Sequence, residues 1–122
     1  MNPIKATIKV QAPARICFFG DHQDYLGLPV IAGTINRYIQ IKAKPNLKSK
    51  YFIQLIDLNK EITINLDYNF NSILTEDYFR SSMAVLRDEG AEFLQGFTVE
   101  ISGDVPVNAG VSSSSALVVA LV

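Results

Sequence analysis

Asp104-Val105-Pro106-Val107-Asn108-Ala109-Gly110-Val111-Ser112-Ser113-Ser114-Ser115-Ala116 passes from a turn-forming segment through four consecutive hydroxyls into the apolar run Ala116-Leu117-Val118-Val119-Ala120-Leu121-Val122. The apolar run predicts a helix that begins near Ser112, and a helix apolar on every side asks to be buried. The first turn of a helix leaves about four backbone N–H groups without partners, and the aligned peptide dipoles place roughly half a positive charge there. Loop and helix together read as an anion cradle, for which a phosphate is the natural guest. Gly110 lets the chain bend and lets an anion approach the main chain, while the serines add donors and a Mg2+ ligand without bulk. There is no Gly-Lys-Ser/Thr, which excludes the Walker-type phosphate loop.

Two other readings fit the same residues. A serine run after Pro106, Asn108 and Gly110 resembles a flexible linker, or one serine caps a helix while the others face water. The immediate apolar continuation argues against the linker. That continuation carries no glycine cap, no basic last turn and no polar terminus, so the expectation is a chain cut inside a helix and derived from a larger protein.

Seven apolar residues are too few for a membrane span, which needs about 20, and Met1-Asn2-Pro3 opens no basic-then-apolar signal segment. A cytoplasmic protein is expected. Among 122 residues, 48% are hydrophobic and 19% charged, which suits one globular core. Eleven basic against twelve acidic side chains leave a net charge of -1, so no overall field favours nucleic acid or an anionic membrane as partner. Cys17 is the single cysteine, lies in the apolar run Ile16-Cys17-Phe18-Phe19 and reads as a buried thiol.

Ile4, Ala6, Ile8 and Val10 alternate with polar neighbours, as do Ile62, Ile64 and Leu66, and Phe97, Val99 and Ile101, which predicts three strands with one wet face each. Ile35 to Ala43 repeats the pattern with Arg37 intruding on the apolar side. Tyr51 to Ile56 predicts a further strand before the turn-like Asp57-Leu58-Asn59-Lys60, and Ala14 to Phe19 and Val30 to Ala32 read as more deeply buried strands. Pro45 to Lys50 reads as an exposed hairpin loop. One helix is predicted with Thr75 as N-cap, Glu76 and Asp77 in the positive first turn, Phe79, Met83 and Leu86 at helical spacing and Gly90 at its close. Met83 reads as core filler. Strands followed by helices give an α+β, two-layer domain with a mixed or antiparallel sheet.

A second polar constellation follows the apolar run Ile16 to Phe19. Gly20-Asp21-His22-Gln23-Asp24-Tyr25-Leu26-Gly27 packs two carboxylates, the only imidazole, an amide and a phenol between glycines, with Arg15 just upstream. Carboxylates and imidazole suit polyol hydroxyls, each of which donates to a carboxylate and accepts from an N–H. Such a site rejects analogues lacking the hydroxyl, because its own polar groups would stay unpaired. Asp21, His22 and Asp24 as metal ligands remain an alternative, though three ligands within four residues make a poor closed site. A purely structural Asp-His turn is another.

Taken together, the two constellations resemble the GHMP kinase superfamily of galactokinase, homoserine, mevalonate and phosphomevalonate kinases. Ala12-Pro13-Ala14-Arg15-Ile16 and Gly20-Asp21-His22-Gln23-Asp24-Tyr25-Leu26-Gly27 look like the galactokinase signature, and Pro106 to Ser115 looks like the family's phosphate loop P-x-x-x-G-L-S/G-S-S-A/S. The resemblance implies a truncated GHMP kinase N-terminal domain over residues 1–122, with a C-terminal domain and the catalytic aspartate beyond this chain. It implies that Asp21, His22 and Asp24 grip a sugar and that Arg15 is catalytic, beside the attacking hydroxyl. It implies that Asn108, Ala109, Gly110, Val111, Ser112, Ser113, Ser114 and Ser115 wrap the phosphates of ATP, with Ser114 contacting Mg2+. The implied partners are a small-molecule sugar, ATP and the C-terminal half of the parent, with neither nucleic acid nor membrane.

Asp21 stands where galactokinases carry glutamate, Ala14 where they carry glycine, and Leu28-Pro29 where a second glycine is usual. These departures leave the acceptor open among galactose, another hexose, a pentose and a sugar acid. The implied activity is transfer of the γ-phosphate of ATP to the anomeric hydroxyl of galactose or a related sugar, with a fragment inactive alone. A non-catalytic galactokinase-like sensor of sugar and ATP, and a kinase of a non-sugar alcohol such as mevalonate, are the alternatives.

Overall fold

A computed structural model describes residues 6–20, 26–67, 77–105 and 113–122. Five strands, β1 (Ile8–Phe19), β2 (Ile31–Pro45), β3 (Lys50–Leu55), β4 (Lys60–Asn65) and β5 (Phe97–Gly103), form one sheet in the order β1-β2-β5-β3-β4. All neighbours are antiparallel except β3 and β5, which run parallel. Helices α1 (Tyr78–Asp88) and α2 (Ser113–Leu121) complete the α+β, two-layer domain expected from the strand and helix pattern.

The two-residue alternation does set the faces. Ile41, Ile53, Ile64, Val99 and Ile101 are buried in one cluster with Phe79 of α1 and Ala116 and Ala120 of α2, so both helices cover the same face. Gln40, Glu61, Thr63 and Glu100 are exposed. Ala12 and Ala14 of β1 are almost fully buried. Small side chains on β1 and at Ala116 and Ala120 allow α2 to lie close against β1 and β2, on which it packs. Met83 packs against this core, as expected of a gap filler.

Several expectations need correction. Of the stretch Ala14 to Phe19 only Ala14 is deeply buried: β1 is an edge strand, its register against β2 shifts between Cys17 and Phe19, and Phe18 and Phe19 are 63% and 70% exposed. Val30 and Ile31 are also exposed. Cys17 is only half-buried, its Sγ donating to the Phe19 carbonyl at 3.3 Å. Pro45 to Lys50 is exposed but closes no hairpin, because β5 lies between β2 and β3. The loop instead receives the approach to β5: Asn46 N–H donates to the Gly96 carbonyl at 3.0 Å, and a Cβ on Gly96 would run into the Lys48 carbonyl oxygen.

Helix α1 starts later than expected. Asp77, not Thr75, is its N-cap, accepting from the Arg80 N–H at 3.1 Å, and Thr75 and Glu76 lie outside the described residues. Gly90 follows the helix at φ 100°. Helix α2 is described over Ser113–Leu121, in line with the start expected near Ser112, and is not buried all round, with Val119 69% exposed.

Arg37 breaks the apolar pattern of β2 for a visible reason. Pro13 pairs with Tyr38 and Arg15 with Thr34, so Ile35, Asn36 and Arg37 together stand opposite Ala14. Arg37 falls within this irregularity of the ladder and is exposed.

Candidate functional site

The candidate site begins where β5 ends. Its last ladder pair joins Gly103 to Ile39, and two carboxylates take over there. Gly103 N–H donates to Asp57 Oδ2 at 2.9 Å, from the short 3-10 turn Ile56–Leu58 that follows β3. On the other flank, Tyr38 N–H of β2 donates to Asp104 Oδ1 at 2.8 Å, and Asp104 N–H donates back to the Tyr38 carbonyl at 3.2 Å. Arg37 Nη1 reaches Asp104 Oδ2 at 3.4 Å. The Tyr38 amide holds the Asp104 carboxyl below its ordinary value, against an opposing effect of desolvation and with lesser help from Arg37. Val105 is then buried. The neck leading to the serine-rich loop is therefore tied to the strands on both of its sides.

The loop's far end is α2. Ser114, half-buried, and Leu117 face a cavity of about 590 Å3, shared with Ile39 of β2, Ile101 to Gly103 of β5, Asp57 and Leu58, Lys60 and Ile62 of β4, and Asp77 to Arg80 of α1. Its walls are mainly apolar with a few convergent polar groups, the usual make-up of a small-molecule site.

Two helix amino ends meet at this cavity, and they differ in charge. The end of α1 is neutralised by Asp77, which also pairs with Arg80 Nη1 at 2.8 Å. The first turn of α2 carries serines and no acidic residue. Among the described residues, the amino end of α2 is therefore the one whose first turn carries no acid of its own to offset the helix dipole.

The other expected site residues divide as follows. Arg15 lies on β1 opposite Thr34, directly after buried Ala14; it is exposed and engages a partner within the protein. It is not among the residues lining the Ser114 cavity. Asp21, His22 and Asp24, and Asn108, Ala109, Gly110, Val111 and Ser112, lie outside the described residues, as does the side chain of Ser113. Among the described residues no group of three His, Cys, Asp or Glu side chains is placed to hold a metal ion. No helix among them is long and apolar enough to cross a membrane. Sequence reading passed over Asp57 and Asp104, which looked like turn residues; their partners are 46 and 66 positions away.

Residues 77–122 match the family of GHMP kinases N terminal domains, and residues 4–45 match the galactokinase galactose-binding signature. The second match takes in Arg15 and the Asp21 to Asp24 cluster. Galactokinase of Actinobacillus succinogenes is 31% identical over 118 residues, covering 94% of this chain and 31% of that protein. Mevalonate kinase of Thermococcus gammatolerans is 30% identical over 125 residues, covering 94% of this chain and 37% of that protein. Among solved structures, Lactococcus lactis galactokinase complexed with galactose superposes with a TM-score of 0.82 at 26% identity, over 96% of this chain and 31% of that one. Methanococcus jannaschii mevalonate kinase gives 0.79 at 24% identity, over 98% and 39%, a likeness of fold. The chain thus spans about a third of the length of these relatives.

Proposed function

From the premise that this chain belongs to the GHMP kinase family, we propose that it supplies the amino-terminal part of a longer, cytoplasmic kinase that transfers the γ-phosphate of ATP to the anomeric hydroxyl of galactose or a related sugar. One observation carries the nucleotide half of this reading: the acid-free, serine-bearing first turn of α2 opens on a cavity large enough for a nucleoside. The galactokinase signature over residues 4–45 supports the sugar half.

In this reading the loop from Asn108 to Ser115 holds the phosphates by its peptide N–H groups, and the mainly apolar cavity beyond Ser114 takes the base and ribose. Asp21, His22 and Asp24 bind sugar hydroxyls. Arg15 stands beside the attacking oxygen and stabilises the negative charge that spreads over the transferring phosphoryl group. The Ser114 hydroxyl is a hard oxygen donor that would help to hold Mg2+, and the ion when bound would neutralise phosphate charge. Phosphoryl transfer asks mainly for alignment, and two separate elements, α2 and the β1 end, provide the two sides to be aligned.

A second reading, a kinase of a non-sugar alcohol such as mevalonate, draws on the 30% identity with the Thermococcus enzyme, comparable to that with galactokinases. Incubating the complete protein with radiolabelled ATP, Mg2+ and a panel of galactose, arabinose, galacturonate and mevalonate tests both. Label on a sugar is the expected result. Label on mevalonate alone would favour the second reading, and ATP binding without transfer to any alcohol would favour a sensor.

A further inference from the structure

We propose that the turn joining β3 to β4 reads the nucleoside, with Asp57 as a specificity-determining residue that accepts a hydrogen bond from a donor on the base or ribose. The inference rests on the nucleotide reading of the cavity beside Ser114. Leu55 and Lys60 form the last pair of the β3–β4 ladder, and the short turn Ile56–Leu58 with Asn59 lies between them. Leu55, Asp57, Leu58 and Lys60 all line the cavity. Two bonds hold this tip in place. Asn59 N–H donates to the Ile56 carbonyl at 3.3 Å, with Asn59 at φ 50°, and Asp57 Oδ2 accepts from the Gly103 amide at 2.9 Å. A tip fixed in this way presents its remaining groups to a ligand without first having to be ordered.

Of the charged groups on the cavity wall, Asp77 and Arg80 are committed to each other at 2.8 Å. Asp57 spends only Oδ2 on Gly103, and its Oδ1 accepts no hydrogen bond among the described residues. An ionised carboxylate accepts and never donates, so this oxygen welcomes an N–H or O–H and repels another lone pair. In a nucleoside, the matching donors are the 6-amino group of adenine and the ribose hydroxyls. Next to Asp57, Leu58 is 55% exposed although it lines a mainly apolar wall, which leaves apolar surface for a planar base to cover. A carboxylate this close to a triphosphate costs Coulomb energy. Lys60, which no ion pair engages among the described residues, lines the same cavity and offsets that repulsion.

The test compares, on the complete protein, the affinity for MgATP with that for MgITP, which carries an oxygen in place of the 6-amino group, and for the magnesium complexes of 2′-deoxy-ATP and 3′-deoxy-ATP. Wild type should bind at least one of these analogues about tenfold more weakly than MgATP. A loss with MgITP assigns the 6-amino group as the donor, and a loss with a deoxynucleotide assigns the ribose. Asp57→Ala should bring the affected ratio to within about twofold of one. Because each ratio is taken within one variant, the lost Gly103 bond and any change in stability cancel, and a merely structural role would leave it unmoved. In Asp57→Asn the Gly103 amide keeps the oxygen on its own side and turns the side-chain NH2 toward the cavity, so discrimination should vanish, and should reverse in favour of MgITP where the base is the donor. Ratios near one in wild type, or an unchanged ratio in Asp57→Ala, would overturn the proposal and leave the nucleotide reading intact. A wild type that binds no MgATP would sink both. Should Asp57→Ala not fold, the ratio in Asp57→Asn decides, and discrimination equal to that of wild type would contradict the proposal.

Discussion

The two ends of the candidate site are built by different means. At the exit of β5, the chain is held by directed bonds: Asp57 on the Gly103 amide, Asp104 on the Tyr38 amide, and Val105 buried just beyond. At the end of β1, the chain runs out along a sheet edge, with its register shifting at Cys17 and with Phe18, Phe19 and Ile31 exposed. The side proposed for nucleotide is thus pinned within the described residues. On the side proposed for sugar, Arg15 follows buried Ala14 on β1 and pairs with Thr34 of β2. Directed hydrogen bonds fix one region, and the pleat of an edge strand fixes the other.

Substitutions at each end should separate the two roles. The largest effect is expected at Arg15: Arg15→Ala should lower kcat of the complete protein about 10²- to 10³-fold while leaving MgATP affinity within about twofold. A loss confined to MgATP affinity would place Arg15 on the wrong side of the comparison. Next comes Gly103→Ala, whose new methyl meets the Tyr38 backbone. A loss of about 1–3 kcal/mol in denaturant unfolding is expected, and unchanged stability would show that the neck yields.

A smaller effect concerns acid. The Asp104 carboxyl is held low chiefly by the Tyr38 amide. A carboxyl with a folded pKa below its unfolded value of about 3.9 adds stability that is complete above that value and is lost as pH falls through the lower one. The stability gap between wild type and Asp104→Asn, followed by unfolding midpoints, should therefore be constant from about pH 7 to 5 and shrink below about pH 4. A gap that persists unchanged into stronger acid would contradict the assignment. The smallest effect is expected at the unpinned end: Phe19→Ser, at a residue 70% exposed, should change stability by no more than about 0.5 kcal/mol. A loss of several times that would show this end to be covered in the complete protein.

The alternation at Ile62 to Ile64 and at Phe97 to Ile101 was legible in the sequence because burial on one face imposes a period of two. What escaped was non-local. Nothing between Pro45 and Lys50 announces that β5, more than forty residues later, inserts beside β3 and turns an apparent hairpin into a crossover. Ala14 to Phe19 looked buried because apolar composition does not distinguish an edge strand from a central one. In the site, Ser114 could be placed from the run of hydroxyls before an apolar helix, and it does stand on the first turn of α2 facing the cavity. Asp57 and Asp104 could not, since each looks like an ordinary turn acid until its distant amide is brought to it. Asp77 likewise lay two residues past the cap read at Thr75.

The central claim is that the serine-bearing first turn of α2 receives the phosphates of a nucleotide. Amide exchange of the complete protein, measured residue by residue from Asn108 to Ala116 with and without saturating MgATP, tests it directly. The account predicts marked slowing at Ser113, Ser114 and Ser115 and at the loop before them. Exchange there that is indifferent to MgATP, in a protein that binds nucleotide elsewhere, would contradict it.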